Sequence, residues 1–361
     1  MISAEPGGGL PRRARIALPI VIVLLVLLSW HRYSQVPERP FVAYSGPTMG
    51  TTFSVKLALA SLPAEEERAV GAAIAGRLER VNALMSTWQD DSELSRFNRH
   101  PASEPFAVAP ETLRVFEISR EVYARSDGAF DPTVAPLVRA WGFGAGAAAS
   151  PPSDPELAAL RARVGFDAIA IGSAAGTLTR KRPDVVCDLS AVAKGYAVDE
   201  VARALAERGY ADFLVEIGGE LRAAGSHRDG TPWRVAIETP APEPSQGTAW
   251  RSIHRVVSLG DRGMATSGDY RNAYELGGER VAHIIDPRTG RPATHGLASV
   301  TVVHAEAAVA DAWATALQVL GPEAGRARAE AQGLAAYFIV RRPDGSFESF
   351  MTPPFEPLLA P

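Results

Sequence analysis

The sequence predicts an α+β fold: mixed, largely antiparallel sheets flanked by helices, behind an apolar N-terminal segment. Three observations carry that expectation. Stretches that alternate apolar and polar residues are interleaved with stretches of helical period, and the strand-like stretches of the second half are spaced as hairpins. A chain of 361 residues, 46% hydrophobic and 22% charged, is long enough to bury the core of one large domain or two modest ones. The same counts exclude other classes. The chain is too apolar and too evenly charged to be disordered, too aperiodic to be collagen, and its single Cys rules out a disulfide scaffold. A formal net charge of −4 gives no electrostatic case for a nucleic-acid partner.

Taken in order, the first element is an apolar run over residues 16–30, broken only by Pro19 and Ser29 and preceded by Arg12, Arg13 and Arg15. A cationic flank before an apolar run is the layout of a secretory signal or a signal anchor, with the arginines held in the cytoplasm. The run is shorter than the roughly 20 residues that span a bilayer unaided. No Ala-x-Ala cleavage site follows cleanly, and no Cys follows that could take a lipid. The expectation is therefore an uncleaved single-pass anchor over residues 16–33, with Trp30 and Tyr33 at the outer interface. Residues 1–15 form a basic cytoplasmic segment, 34–44 a spacer, and 45–356 a domain on the periplasmic side of the cytoplasmic membrane. Cleavage after Trp30 is the alternative.

Within that domain, Phe53, Val55, Leu57 and Leu59 alternate with Thr52, Ser54 and Lys56, which reads as a half-buried strand over 51–60. Val70, Ile74, Leu78, Val81 and Leu84 recur at helical spacing over 63–85, with Glu65, Glu66 and Glu67 at the dipole-favoured start. A helix over 110–125 follows from Pro110 at its first position and Gly128 past its end. Segments 144–155 and 240–247 read as loops from their Gly and Pro content. Strands are expected at 168–171, 213–217, 233–238, 255–259, 299–303 and 335–340, and helices at 191–208, 307–320 and 322–331. No internal repeat is visible.

Several chemical signatures are missing: a Gly-x-Ser-x-Gly elbow, a Walker loop, a His-Glu-x-x-His pair and any Cys/His ligand cluster. The stretch Gly142-Phe143-Gly144-Ala145-Gly146-Ala147 fits a loose dinucleotide fingerprint, but it runs into Ser150-Pro151-Pro152 instead of opening a helix. It is read as a chance match.

Four segments retain chemical interest. At 187–199, Ser190 falls where a strand gives way to a helix, so its hydroxyl can cap that helix and the free N–H groups favour an anion. Lys194 could add a point charge and Asp188 could accept from a heterocycle or ribose; an ordinary capped helix explains the pattern equally well. Asp311 and Thr315 stand at i and i+4 on one helix face, hard oxygen ligands of the kind magnesium takes. The plainer account is a Thr hydroxyl bonded back to its own helix. His283, before the turn Asp286-Pro287-Arg288-Thr289-Gly290, could be a general base at a rigid rim or a structural His. Residues 260–271, with Gly263, Thr266, Ser267, Gly268 and Asp269, could face a phosphate or form a polar turn.

Eight blocks now stand in order: Gly46 to Thr51, Met85-Ser86-Thr87-Trp88, Asp127-Gly128-Ala129-Phe130-Asp131, Asp188 to Tyr196, Glu216-Ile217-Gly218-Gly219-Glu220, Thr266 to Tyr270, His283 to Gly290, and Ala310 to Thr315. This set resembles the ApbE family, the FAD:protein FMN transferases, over residues 45–321. The resemblance implies magnesium-dependent cleavage of FAD, with a target Thr or Ser hydroxyl attacking the FMN-side phosphorus and AMP leaving. It implies FAD contacts from Met49, Trp88, Ala129, Phe130, Asp131, Asp188, Lys194 and Ile285. Magnesium would be held by the main-chain oxygen of Ala191 and the side chains of Asp311 and Thr315, with His283 as the base. Trp88 stands where the family usually has Tyr, which keeps a stacking face. Cys187 replaces an aliphatic residue and is expected in the FAD pocket. The acceptor would be a separate flavoprotein with a Ser/Thr-Gly-Ala-Ser/Thr core, which this chain lacks. The alternatives are an FAD pyrophosphatase using the same site and a non-catalytic FAD-binding protein.

Overall fold

The structure, a computed structural model, describes residues 41–143, 150–240, 252–269, 273–276 and 279–360. The expected anchor over 16–33 lies outside them, as do the loop residues 144–149 and 241–251. Among the described residues no helix is long and apolar enough to cross a membrane.

The chain opens with β1 (Val42–Thr48) and β2 (Thr51–Leu57), paired antiparallel from Val42 with Leu57 to Thr48 with Thr51. The two residues between them, Met49 and Gly50, have φ of 48° and 72°, so the hairpin closes in the positive-φ pair whose twist matches the strands. The alternation seen in the sequence matches β2, whereas β1 is not among the expected strands and runs through Gly46 and Pro47, residues poor in strand propensity. Pro47 is tolerated because β1 is the edge of its sheet.

The stripe of Val70, Ile74, Leu78, Val81 and Leu84 forms the buried side of α1 (Ala64–Met85), followed by α2 (Glu93–Arg99). Next come β3 (Phe106–Ala107), α3 (Pro110–Arg125) and the short α4 (Ala135–Ala140). Helix α5 (Asp154–Arg161) begins inside the segment expected to be a loop to residue 155. Pro155 lies in the first turn, where its missing N–H costs nothing, and Ser153 with Glu156 forms a capping box. Strands β4 (Ile169–Gly172) and β5 (Thr177–Arg180) join β3 in a small sheet.

Then follow α6 (Ser190–Glu207), β6 (Phe213–Ile217), β7 (Glu220–Ala224), β8 (Arg234–Glu238) and β9 (Ile253–Ser258). The rest comprises β10 (Gly263–Gly268), β11 (Ala273–Leu276), β12 (Glu279–Ala282), β13 (Leu297–His304), α7 (Ala307–Leu320), α8 (Pro322–Ala331), β14 (Ala335–Arg341) and β15 (Phe347–Met351).

The main sheet runs β1-β2-β6-β7-β10-β13-β14-β15, and every described strand pair is antiparallel. The α+β expectation holds. Both faces of this sheet are covered. Ala336 and Phe338 of β14 enter a core shared with α1, α6 and α7, whereas Tyr337 and Ile339 enter a second core with Val235, Val257 and Phe355. A strand covered on both faces buries its polar residues too, and in β13 Ser299 and Thr301 are as buried as Val300 and Val302.

Helices α6 and α7 approach unusually closely. A Cβ added at Gly195 would stand 2.4 Å from the Ala307 carbonyl oxygen and 2.8 Å from Asp311 Cβ. Asp199, buried on α6, accepts from the Ala307 and Ala308 N–H groups at 3.1 and 3.0 Å and so caps the first turn of α7. The two helices that carry the suspected metal ligands are thus locked together.

Candidate active site

A cleft of about 680 Å³ opens among α4, the start of α6, the segment after β12 and the last turns of α7. Trp88, Ala129, Phe130, Asp131, Asp188, Ala191, His283, Ile285 and Thr315 all line it. Residues from five separate stretches of chain therefore meet at one place. Met49, Lys194 and Asp311 are not in its lining. Met49 occupies the β1–β2 turn in a left-handed conformation that a non-glycine side chain adopts at a cost. That turn adjoins the β6–β7 turn: a Cβ at Gly218 would lie 2.9 Å from Thr51 Cγ2 and 3.4 Å from Lys194 Cδ.

One wall is the stretch 129–132. Asp131 is 6% exposed, and its carboxylate accepts from Thr133 N and Oγ1 at 2.7 and 2.6 Å and from Phe166 N at 3.2 Å. Burial raises its pKa in spite of those donors. Its side chain is committed to tying the wall to residues 165–166, so its place in the cleft is set by the backbone it pins. Asp188 is joined to the same wall through its N–H, which donates to the Pro132 carbonyl at 2.7 Å.

The start of α6 differs from expectation. No strand precedes it, Leu189 is the N-cap, and the Ser190 hydroxyl makes no cap. Asp188 Oδ1 instead accepts from Ser190 N at 2.8 Å. Asp188 thus satisfies the first N–H of the helix, to which Ser190 itself already belongs. Cys187 is likewise not in the cleft. It is fully buried in the main core, its N–H and C=O both bonded to the Asn98 side chain at 2.8 Å, and burial pushes its thiol pKa up. This is a structural cysteine.

The opposite wall holds residues that the sequence analysis passed over. Val138, Arg139, Gly142, Phe143 and Tyr274 line the cleft. Trp141 supports them from behind: its Nε1 donates to the Gly290 carbonyl at 2.8 Å and its carbonyl accepts from Tyr274 Oη at 2.9 Å. Phe143 packs against Tyr274 at 5.3 Å and edge-on to His283 at 6.3 Å between ring centroids. Gly142 and Phe143 belong to the stretch dismissed as a dinucleotide fingerprint. It is not one, but its aromatic content was a signal for a flat ligand. Trp88, 77% exposed, stands at the mouth of the cleft.

Behind the first turns of α6 stand Asp311, Lys194 and Glu220. Asp311 is 5% exposed, and one of its oxygens accepts from Gly195 N at 3.0 Å. That donor is the one whose regular helical acceptor is the Ala191 carbonyl. Asp311 Oδ1 has no hydrogen-bond partner among the described residues, and burial raises the carboxyl pKa while the Lys194 charge lowers it. Glu220, which the sequence analysis quoted but gave no role, is 3% exposed and stands 2.6 Å from Lys194 Nζ. Burial pushes its pKa up to about 7.

Among the described residues no group of three or more His, Cys, Asp or Glu forms a metal cluster. The set Asp311, Thr315 and the Ala191 carbonyl is of another kind: one carboxylate, one hydroxyl and one carbonyl, with Ala191 and Thr315 on the cleft and Asp311 one helical turn before Thr315, outside its lining. It suits a hard cation that completes its shell with water and substrate phosphates. A carboxylate that receives a single hydrogen bond among the described residues keeps acceptor capacity for that use.

The sequence model of the ApbE family matches residues 49–338. A Vibrio cholerae protein named FAD:protein FMN transferase is 44% identical over 326 residues, spanning 90% of this chain and 95% of the relative. The solved flavin transferase ApbE from Vibrio cholerae has a TM-score of 0.78 at 42% identity, covering 89% of this chain and 99% of its own. The apo flavinyl transferase ApbE of Pseudomonas stutzeri has a TM-score of 0.78 at 38% identity, covering 88% and 96%.

Proposed function

The chain belongs to the ApbE family, and from that premise we propose the chemistry by which its cleft moves FMN from FAD to a target protein. As an FAD:protein FMN transferase, it takes FAD as donor and a protein as acceptor. The observation that carries the assignment to this cleft is the convergence of Trp88, residues 129–131, Asp188, Ala191, His283, Ile285 and Thr315 around one volume of about 680 Å³.

In this reading the aromatic and apolar wall of Val138, Phe143 and Tyr274 receives a flat ring system, and Trp88 covers it from the mouth. The pyrophosphate lies toward Ala191 and Thr315, where the positive end of the α6 dipole favours its charge. Magnesium bound by Asp311, Thr315 and the Ala191 carbonyl would neutralise the phosphates and stabilise the departing AMP. His283 takes the proton of the incoming Thr or Ser hydroxyl. The acceptor oxygen then bonds to the FMN-side phosphorus, the pyrophosphate P–O bond breaks, and its electron pair leaves with AMP.

We propose also that residues 16–33 anchor the enzyme in the cytoplasmic membrane with its domain on the periplasmic side. The triple-arginine flank supports that orientation. The acceptor is proposed to be a separate flavoprotein with a Ser/Thr-Gly-Ala-Ser/Thr core, since the chain holds no such tetrapeptide itself.

The test is incubation with FAD, Mg²⁺ and a protein bearing that core, followed by mass spectrometry of the acceptor. Covalent FMN on the core hydroxyl is expected, and free FMN with AMP and an unmodified acceptor would favour hydrolysis instead. Replacement of Mg²⁺ by excess chelator should stop the reaction.

A further inference from the structure

Three ionisable side chains meet where α6, the β6–β7 turn and α7 converge: Lys194, Glu220 and Asp311. Lys194 Nζ stands 2.6 Å from Glu220 Oε2, and its charge also reaches Asp311, whose pKa it lowers. Asp311 in turn raises the pKa of Glu220. The next residue in the chain, Gly195, donates its N–H to Asp311 at 3.0 Å, so one ammonium group is carried on the turn of α6 that two buried carboxylates flank.

Glu220 is held by a tight turn. Gly218 and Gly219, with φ of 61° and 104°, connect the paired residues Ile217 and Glu220, and Gly219 N donates to Glu216 Oε1 at 2.7 Å. The lysine stem passes over Gly218, where a Cβ would stand 3.4 Å from Lys194 Cδ. A side chain at 218 would crowd the stem and Thr51 together, so the bare glycine leaves the path to Glu220 open. The lysine itself is a flexible four-carbon stem with a compact charge and would follow the nearest available carboxylate.

We propose that Glu220 is a positioning residue for the cation end of the cleft: by holding the Lys194 ammonium it keeps that charge off Asp311, whose carboxylate stays open to a divalent metal ion. The trio, fully ionised, carries a net negative charge, which suits a cation. Without Glu220 the same lysine would neutralise Asp311 and compete with the metal for it. The inference rests on the reading of Asp311 as a metal ligand made above.

The test is direct binding of Mn²⁺ to the full-length protein, read from the electron paramagnetic resonance signal of the free ion, with no substrate present. Glu220→Gln is expected to raise the Mn²⁺ Kd by about tenfold or more, since an ammonium at contact distance from a buried carboxylate opposes a second cation strongly. The double variant Lys194→Met with Glu220→Gln should return the Kd to within about threefold of wild type, a reversal that general loss of structure would not produce. Glu220→Asp, one methylene short, should fall between wild type and Glu220→Gln. If Glu220→Gln does not fold, Glu220→Asp with and without Lys194→Met carries the same comparison. An unchanged Kd in Glu220→Gln, a double variant no better than the single one, or no saturable Mn²⁺ binding by wild type would overturn the proposal. The mass of the acceptor protein, measured separately, decides the transferase reading whatever the metal binding shows.

Discussion

Asp131 and Asp311 are equally buried, at 6% and 5% exposure, and burial raises both carboxyl pKa values, yet the two acids are used in opposite ways. Asp131 has two oxygens filled by three donors from Thr133 and Phe166. The Thr133 hydroxyl also accepts from Gly165 N at 2.7 Å, so the network stitches one wall of the cleft to the chain that precedes β4. Asp311 receives one hydrogen bond, from Gly195. A buried carboxylate whose acceptor capacity is filled contributes to the fold; one with a single hydrogen bond to offset its burial supports the fold less and keeps acceptor capacity for a ligand.

Substitution should separate the two roles. Asp311→Ala is expected to lower FMN transfer by about a thousandfold or more, because metal-assisted charge neutralisation is worth several kcal/mol in the transition state. Its melting temperature should be unchanged or higher, since the variant removes an under-satisfied buried charge. Mass spectrometry of the acceptor and calorimetry check the two halves. Near-normal transfer at limiting Mg²⁺ would erase the distinction drawn here.

Asp131→Ala should show the reverse profile. It strands the Thr133 and Phe166 N–H donors inside the wall, and a loss of about 3 kcal/mol of unfolding free energy is expected, read from urea denaturation. Whatever fraction of Asp131→Ala remains folded should still bind the metal. A variant as stable as wild type, with transfer abolished, would place the Asp131 side chain in the chemistry instead of the scaffold.

The contrast between these acids was only half visible in the sequence. Both stand in blocks that match the family, but a motif shows that a residue is present and not how many donors surround it. Local signals were legible wherever one element's own residues decide the outcome: Pro110 and Pro322 open α3 and α8 where expected, and Gly321, at a φ of 80°, ends α7. Signals failed where a partner distant in sequence decides. Pro47 argues against a strand unless that strand is an edge, and only the sheet order makes β1 one. Ser190 looks like a cap until Asp188 takes its N–H. Trp141, Tyr274 and Glu220 join the site only through contacts made more than 20 residues away.

The smallest expected effect concerns pH. Glu220, with an ordinary value of 4.5, is pushed up to about 7 by burial in the folded protein, so between those values the native state holds more protons than the unfolded chain. A raised carboxyl pKa means stability that is fully present below the unfolded value and lost as pH climbs through the folded one. Asp131 and Asp311 act in the same direction, starting from 3.8. Through Glu220 the metal-free protein should therefore lose stability from about pH 4.5 to about pH 7. Glu220→Gln cannot titrate, so its stability relative to wild type should improve across that window by at most about 3 kcal/mol. Urea denaturation at pH 5, 6, 7 and 8 in the presence of chelator measures that difference. A constant gap between the two proteins would mean that Glu220 keeps its charge throughout, with Lys194 alone sufficient to offset its burial.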